Sequence, residues 1–484
     1  MSAQAVKKLS VTTNTTMDLL GFSEEMIKSR GEIVKQLVSI YTDKLQTFGP
    51  CIKMDCMVTG SAGEGISVLG KSDIDLIEIF RNFLCLDNAQ VESELCMIQT
   101  ITADSPPGYT KLNLLKMNSN IAAMGLLGVI AEYDLRSGQV LLHSTCIRNL
   151  FEIVRNTLGP YLEKDGAKTE LRKQEGPSVP STYHLRMPLM SWLDASCDFD
   201  FVIALPYISS TVLDSWRKRD RFWPPQSVCQ DIIDTEAYVV PVGASCSENQ
   251  NYEWRISFTT AENRLVSHLN PMLLKIYILF KMVNKYLIKP KSDILTSYMI
   301  KNVMFWMPER IGPGSCNSSE RLINFLLQAL AFLLNCLHSK FLPNYMIQER
   351  NLLLGKGKPC DITQLTCIIS NLLDTGGFFI IRIEKLRVKI LSIEKCLTDA
   401  KRFSEMRDKV EIMLLRMNLG ILTKLSPEKF CQSSFIYDAM FEMFKDPLFF
   451  DVLFTLMKFL NLDMISLITN PQQIRKAIND VLFS

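Results

Sequence analysis

The sequence predicts an α+β protein in which a mixed β-sheet lobe with one long helix precedes an all-helical C-terminal lobe. Three observations predict it. The chain has 484 residues, more than one compact core usually spans, so two domains or lobes are expected. Its first half carries short apolar or alternating runs bounded by turn residues, the pattern of strands. From about Pro271 the apolar period becomes helical and stays so through Ser484. The expected division is residues 1–20 as a flexible N-terminus, 21–265 as the α/β lobe and 266–484 as the helical lobe.

Composition narrows the class. Apolar residues make up 47% and charged residues 21%, which is ordinary for a globular protein. A net charge of +2 means that any polyanion site must be a local patch. The 14 cysteines include no CxxC pair. The histidines, His143, His184, His268 and His338, lack cysteine neighbours at zinc-finger spacing, so no zinc is expected. The opening MSAQAVKKLSVTTNTTMDLL lacks a continuous apolar signal core. Scattered cysteines without a secretion signal point to a reducing compartment, and a cytoplasmic location is expected.

The elements follow in order. Ser23 is the expected N-cap of an amphipathic helix reaching Phe48, with Glu24 and Glu25 in its first turn and Pro50 stopping it. Ile27, Val34, Leu37, Val38, Tyr41, Leu45 and Phe48 form its apolar stripe. MDCMVTGS, DIDLIEIF, VLLHSTCI and DFDFVIALP read as strands, as do Tyr238–Gly243 and Trp254–Phe258. Glu163–Thr182, polar and rich in Gly, Pro and Lys, reads as a loop or flap. The helical half breaks at Gly312–Ser319 and Gly355–Pro359. Its most apolar run, LINFLLQALAFLLNCLHSKFL, is interrupted by Asn324, Gln328 and Asn335. It is expected to be a buried helix, with no membrane partner.

The chemistry concentrates in TGSAGEGISVLGKSDIDLIEIF, Thr59 to Phe80. Alternate strand residues face one way, so Asp73 and Asp75 project together. Two neighbouring carboxylates repel unless a cation neutralises them. A hard divalent ion suits them, and Mg²⁺ uses one or two carboxylates together with substrate phosphates. The backbone N–H groups and hydroxyl of Gly60-Ser61 suit a phosphate tail. On its own the DxD pair is a weak signal and reads more readily as a solvated strand edge than as a metal site. In CDFDFVIALPY, Asp198 and Asp200 share a face; one of them completes a metal site if this strand neighbours the first, or else caps a turn.

These blocks resemble the nucleotidyltransferase fold, and within it cyclic GMP-AMP synthase (cGAS), the cGAS-like receptors and the male-abnormal superfamily. The resemblance rests on TGS with Asp73 and Asp75, then DFDFVIALP, WRISFTTAE, KIYILFK, TSYMIKNVMFW and PNYMIQERNLL, in that order from Thr59 to Leu353. It implies a bilobal fold with a spine helix. It implies that Asp73, Asp75 and Asp200 hold Mg²⁺ or Mn²⁺, Asp200 being preferred to Asp198 because the family's acid stands just before the FVIAL run. It further implies that Thr59, Gly60 and Ser61 meet the nucleotides, that Arg255 lies over a base and that Ser257 and Glu262 line the same segment. Lys281 resembles a triphosphate-binding lysine, and Ser297, Tyr298 and Lys301 resemble the segment where a hydroxyl meets phosphate and an aromatic ring stacks on a base. From the residues alone, Trp254 and Phe258 read as core, Lys281 as a lysine that could also snorkel, and Tyr298 as either core or stacking ring.

The zinc-binding insertion of cGAS is missing after WRISF, where RLVSHLNPMLLK runs directly on. That turns the expectation from DNA towards double-stranded RNA as activator, read by shape and backbone charge. Candidate contacts are Lys28, Arg30, Lys35 and Lys44, then Arg217, Lys218, Arg219 and Arg221, then Lys285, Lys289 and Lys291. The resemblance implies a metal-dependent synthase of a cyclic dinucleotide, cyclic GMP-AMP made from ATP and GTP, serving as an innate immune messenger. Two alternatives stay open: a catalytically inactive nucleotide-binding relative with a developmental or scaffold role, and an RNA-tailing transferase. The oligomeric state is left open by the sequence.

Overall fold

A computed structural model describes residues 2–45, 53–67, 73–88, 94–123, 127–162, 168–171, 178–185, 195–209, 211–312, 317–424, 444–445, 447–460 and 471–483. Its strands are β1 (Met54–Thr59), β2 (Ile74–Phe80), β3 (Phe83–Leu86), β4 (Cys96–Ile101), β5 (Tyr109–Lys116), β6 (Ala131–Asp134), β7 (Gln139–Leu142), β8 (Lys168–Leu171), β9 (Val179–Leu185), β10 (Ala195–Ile208), β11 (Ala237–Val240) and β12 (Glu253–Ser257). The helices that frame the site are α1 (Ala3–Met17), α2 (Glu24–Leu45), α3 (Gly60–Gly63), α4 (Thr259–Ser267), α5 (Pro271–Val283), α6 (Ser297–Ile311), α7 (Leu322–His338), α8 (Pro359–Asp374), α9 (Glu384–Lys395) and α10 (Leu397–Lys424). The fold is thus mixed α and β, with strands in the first half and helices in the second.

The sheet runs β1-β2-β10-β11-β12-β5-β4-β3. The 14-residue β10 serves two partners in turn: residues 199–204 lie parallel to β2, and residues 205–207 pair with β11. Its last residues also pair with β3, so the sheet curls back on itself. The double duty explains the continuous apolar run FVIAL, because both faces of that stretch are covered.

Helix α2 is capped as its sequence predicts: Ser23 Oγ accepts from Met26 N at 3.3 Å. Ile27, Val34 and Val38 are buried. Phe48 and Pro50 lie outside the described residues. The first twenty residues are not the flexible tail expected of them. Ser2 Oγ accepts from Ala5 N to start α1, which buries Ser10, Thr13, Thr16 and Met17. Ser10 Oγ accepts from Ile323 N, and Asn14 Oδ1 accepts from Lys275 Nζ, which also pairs with Asp18 at 2.7 Å. Docking onto α7 and α5 gives the Ser10 hydroxyl and the Asn14 amide, groups that in isolation favour turns, partners outside the helix.

Two further expectations change. VLLHSTCI is strand only to Leu142, because Ser144 donates to Asn251 O and opens a helix, Ser144–Leu162. The stretch Glu163–Thr182 contains β8 and the start of β9, which continue the sheet from β10; residues 163–167 and 172–177 lie outside the described set. The break at Gly312–Ser319 lies in part outside it too.

Helix α7 is the one described helix apolar and long enough to cross a membrane. It is a core helix here: Leu322, Ile323, Phe325, Leu326, Ala329, Leu330 and Leu333 are buried in the large cluster that also holds Trp254, Ile276 and Leu365.

Candidate active site

The parallel register of β10 against β2 places Asp200 directly beside Asp75, and Phe199 beside Ile74. Asp73 and Asp198, each two residues earlier, share that face by strand alternation. On the other side of β2, Thr59 is opposite Asp75 and its hydroxyl donates to the Asp75 carbonyl at 3.4 Å. The chain then turns at Gly60, with φ of 60°. A Cβ at Gly60 would collide with Oδ2 of Asp75, so a side chain there would displace the carboxylate.

Burial is the largest force on Asp75, followed by repulsion from Asp200, with Asp73 adding to it; Lys301 and Lys281 oppose. The balance pushes Asp75 up to about 7. A buried acid cluster that holds a proton near neutrality is one that a hard divalent ion would discharge. In kind, therefore, the donors fit Mg²⁺ or Mn²⁺. Among the described residues no three His, Cys, Asp or Glu side chains are drawn into a ready-made ligand shell. The acids share a platform without closing around a point.

Behind the turn, Lys281 Nζ donates to Ser61 Oγ. Burial lowers the lysine's pKa, with Glu64 and Asp75 pulling the other way. Lys301 differs. Its ammonium lies 2.6 Å from Glu64 and 3.6 Å from Glu262, and these carboxylates hold its pKa well above normal despite burial. Glu64 also accepts from Tyr277 OH at 3.4 Å. Tyr298 OH donates to Glu262 at 2.8 Å and accepts from Asn344 Nδ2 at 2.9 Å. The hydroxyl is thereby held at both its donor and acceptor sides, and the residue is half-buried.

Arg255 lies on β12 opposite Tyr109 of β5, and Arg350, Tyr109, Tyr298 and Glu262 all act on its charge. Ser257 Oγ shares a 2.8 Å hydrogen bond with Thr259. Ser297 is exposed at the first turn of α6, capped by Thr296, and no contact ties it to the acids. Trp254 and Phe258 are core residues, at 0% and 5% exposure. The structure thus groups Thr59, Gly60, Ser61, Asp73, Asp75, Asp200, Lys281 and Lys301 on one side, and Arg255, Glu262 and Tyr298 beside them. Sequence reasoning missed Glu64 and Asn344. Glu64 was visible as the one acid inside TGSAGEG; Asn344 gave no local signal.

The basic candidates separate. Arg30 is fully buried, bonded to both oxygens of Glu411 and to the carbonyls of Gly65 and Gly21, so it is no surface contact. Arg219 pairs with Glu309 at 2.8 Å and stacks on Trp306, and Arg221 stacks on Trp216. Both are structural. Lys28, Lys35, Arg217, Lys218, Lys285, Lys289 and Lys291 are exposed; the Lys44 side chain lies outside the described residues.

Comparison with known proteins bears on this arrangement. Residues 272–371 match the Mab-21 protein HhH/H2TH-like domain. A cyclic GMP-AMP synthase-like receptor of Aethina tumida is 22% identical over 357 residues, covering 72% of this chain and 82% of its own length. Over residues 272–371 the chain is similar to Mab-21 proteins, and over most of its length to a cyclic GMP-AMP synthase-like receptor. The residues matched to the Mab-21 domain span most of α5, all of α6 and α7 and most of α8, and so include Lys281, Tyr298, Lys301 and Asn344.

Proposed function

We propose that this protein is a metal-dependent nucleotidyltransferase that makes a cyclic dinucleotide, cyclic GMP-AMP from ATP and GTP, as an innate immune messenger. The observation that carries the reading is the parallel alignment of Asp200 with Asp75 next to the Gly60–Ser61 turn that Lys281 reaches. Divalent ions on such a platform supply Lewis acidity to the reacting phosphate and to the leaving pyrophosphate. The chain's own residues do the rest. Ser61 and Lys281 bind the triphosphate and fix its position. Asp75, Asp200 and Asp73 hold negative charge in a partly dehydrated place, where it is felt strongly. Glu64 and Glu262 hold Lys301 charged and immobile under the site. Tyr298 offers a ring face to a base, and Arg255 covers it. A ribose hydroxyl displaces pyrophosphate once to give a linear dinucleotide, and again to close the ring.

Double-stranded RNA is the proposed activator, met by exposed lysines such as Lys285, Lys289 and Lys291, which suits readout of shape and backbone charge. The test uses purified protein with labelled ATP, GTP, CTP and UTP, Mg²⁺ or Mn²⁺, and double-stranded RNA or double-stranded DNA. A phosphatase-resistant cyclic product that needs ATP, GTP and RNA is expected, and is lost in Asp200→Asn while Asp198→Asn retains part of it. A linear tail, or no product with intact folding, would overturn the reading.

A further inference from the structure

Beside the acids lies a pair of cations that the steps above leave without a full role. Arg255 stands next to Tyr109 by the register of β12 on β5. From the other half of the molecule, the Arg350 guanidinium lies 5.3 Å from the centroid of that Tyr109 ring. Gly108, with φ of 82°, makes room for it, since a Cβ there would sit 2.6 Å from Arg350 Cδ. The Arg350 turn is tied to the site: Asn344 N donates to Arg350 O at 2.9 Å, and Asn344 Nδ2 donates to Tyr298 OH. Two guanidiniums therefore flank one ring, next to a second ring, and all four side chains are half-buried. Neither guanidinium has an ion pair or side-chain hydrogen bond among the described residues. Arg219, by contrast, stacks on rings and is also neutralised by Glu309. Burial and then Arg350 itself hold Arg255 below its ordinary pKa, with Tyr109, Tyr298 and Glu262 pulling the other way.

Two forks of donors without a hydrogen-bond partner among the described residues suit a planar ligand whose edge carries adjacent acceptors. Guanine presents O6 and N7 in that pattern, and a guanidinium meets both at once. Adenine offers an amino donor where guanine has O6, so donor would face donor. We propose that Arg350, acting with Arg255, is the specificity-determining residue that selects a 6-oxopurine base at this nucleotidyltransferase site. The inference rests on the nucleotide-binding reading above and deepens it.

Calorimetric titration of the full chain with Mg²⁺ and non-hydrolysable analogues of GTP, ITP and ATP tests it. Wild type is compared with Arg350→Met, which keeps the stem, and Arg350→Lys, which keeps the charge but loses the fork. Both variants are expected to bind the GTP and ITP analogues about tenfold or more weakly, with the ATP analogue unchanged within about twofold. The inosine analogue follows the guanosine one because both carry O6 and N7. Equal weakening for all three would assign Arg350 to phosphate and overturn the proposal, as would no weakening for any. A wild-type protein that binds none of the three would overturn the nucleotidyltransferase reading as well, which distinguishes the two failures. Unchanged melting temperatures of the variants separate lost selectivity from lost folding.

Discussion

Two cation clusters meet the turn Gly60–Gly65, one through Arg30 at Gly65 and one through Lys281 at Ser61, and they differ in completeness. At the spine, Arg30 of α2 meets Glu411 of α10 at 2.8 and 3.0 Å and the carbonyls of Gly65 and Gly21 at 2.6 and 2.9 Å. Four of its five N–H donors have partners within the protein. In the cleft, Lys281 holds a single hydroxyl, Arg255 and Arg350 hold none, and the facing acids repel one another. A saturated cluster fixes a structure. An unsaturated one stores unfavourable electrostatics that a ligand relieves. Burial separates the two in part, since Arg30 is fully buried whereas Lys281, Arg255 and Arg350 are half-buried; the count of filled bonds separates them further.

The sharpest way to break the comparison is at Asp75. Asp75→Asn removes one member of the acid platform, and dinucleotide synthesis is expected to fall by at least about a thousandfold, as for loss of a group acting on the transition state. Stability should move the other way. A carboxyl raised to about 7 in the folded chain favours folding only when protonated. Its penalty is absent below the unfolded value near 3.9, grows as pH rises, and is complete above about 7. Differential scanning fluorimetry should therefore show Asp75→Asn melting a few degrees above wild type at pH 8, with the gap gone near pH 4. Saturating Mg²⁺ or Mn²⁺ should narrow the gap at pH 8 by stabilising only the wild type.

At the spine cluster, Arg30→Met takes the two-pronged guanidinium partner from buried Glu411, which is expected to cost about 3–5 kcal/mol. Chemical denaturation should report it, and the double variant Arg30→Met, Glu411→Leu should recover most of the loss. If the single change were harmless, saturation would not be what distinguishes the two clusters. The smallest effect belongs to the exposed pair Lys7–Glu320, at 56% and 47% exposure. Lys7→Ala should shift stability by no more than about 0.5 kcal/mol, vanishing in high salt.

Much of the site was legible because its signals are local. Strand alternation placed Asp73 with Asp75, and a glycine beside a phosphate-type hydroxyl marked the turn. Alternation could not choose between Asp198 and Asp200, which share a face; the parallel register on β2 puts Asp200 level with Asp75. Arg30 was readable in part. It sits three residues after Ile27 and four before Val34, inside the apolar stripe of α2, and a charge there needs a partner. That partner is 381 residues away, so no local pattern names it. The N-terminal helix was hidden for a related reason. VTTNTT has poor helix propensity, and only docking against α7 and α5 overrides it. Arg350 belongs to a turn whose relation to Tyr109 exists only in three dimensions.

Helix α10 reaches past Arg30 to Leu415, which is buried with Leu76 and Phe201. Those two are the next residues after Asp75 and Asp200, pointing to the rear of the strands. The helix is thus a lever resting on the back of the acid platform. Glu411 and Leu415, four residues apart on that helix, tie the Arg30 cluster and the rear of the acid strands to a single element.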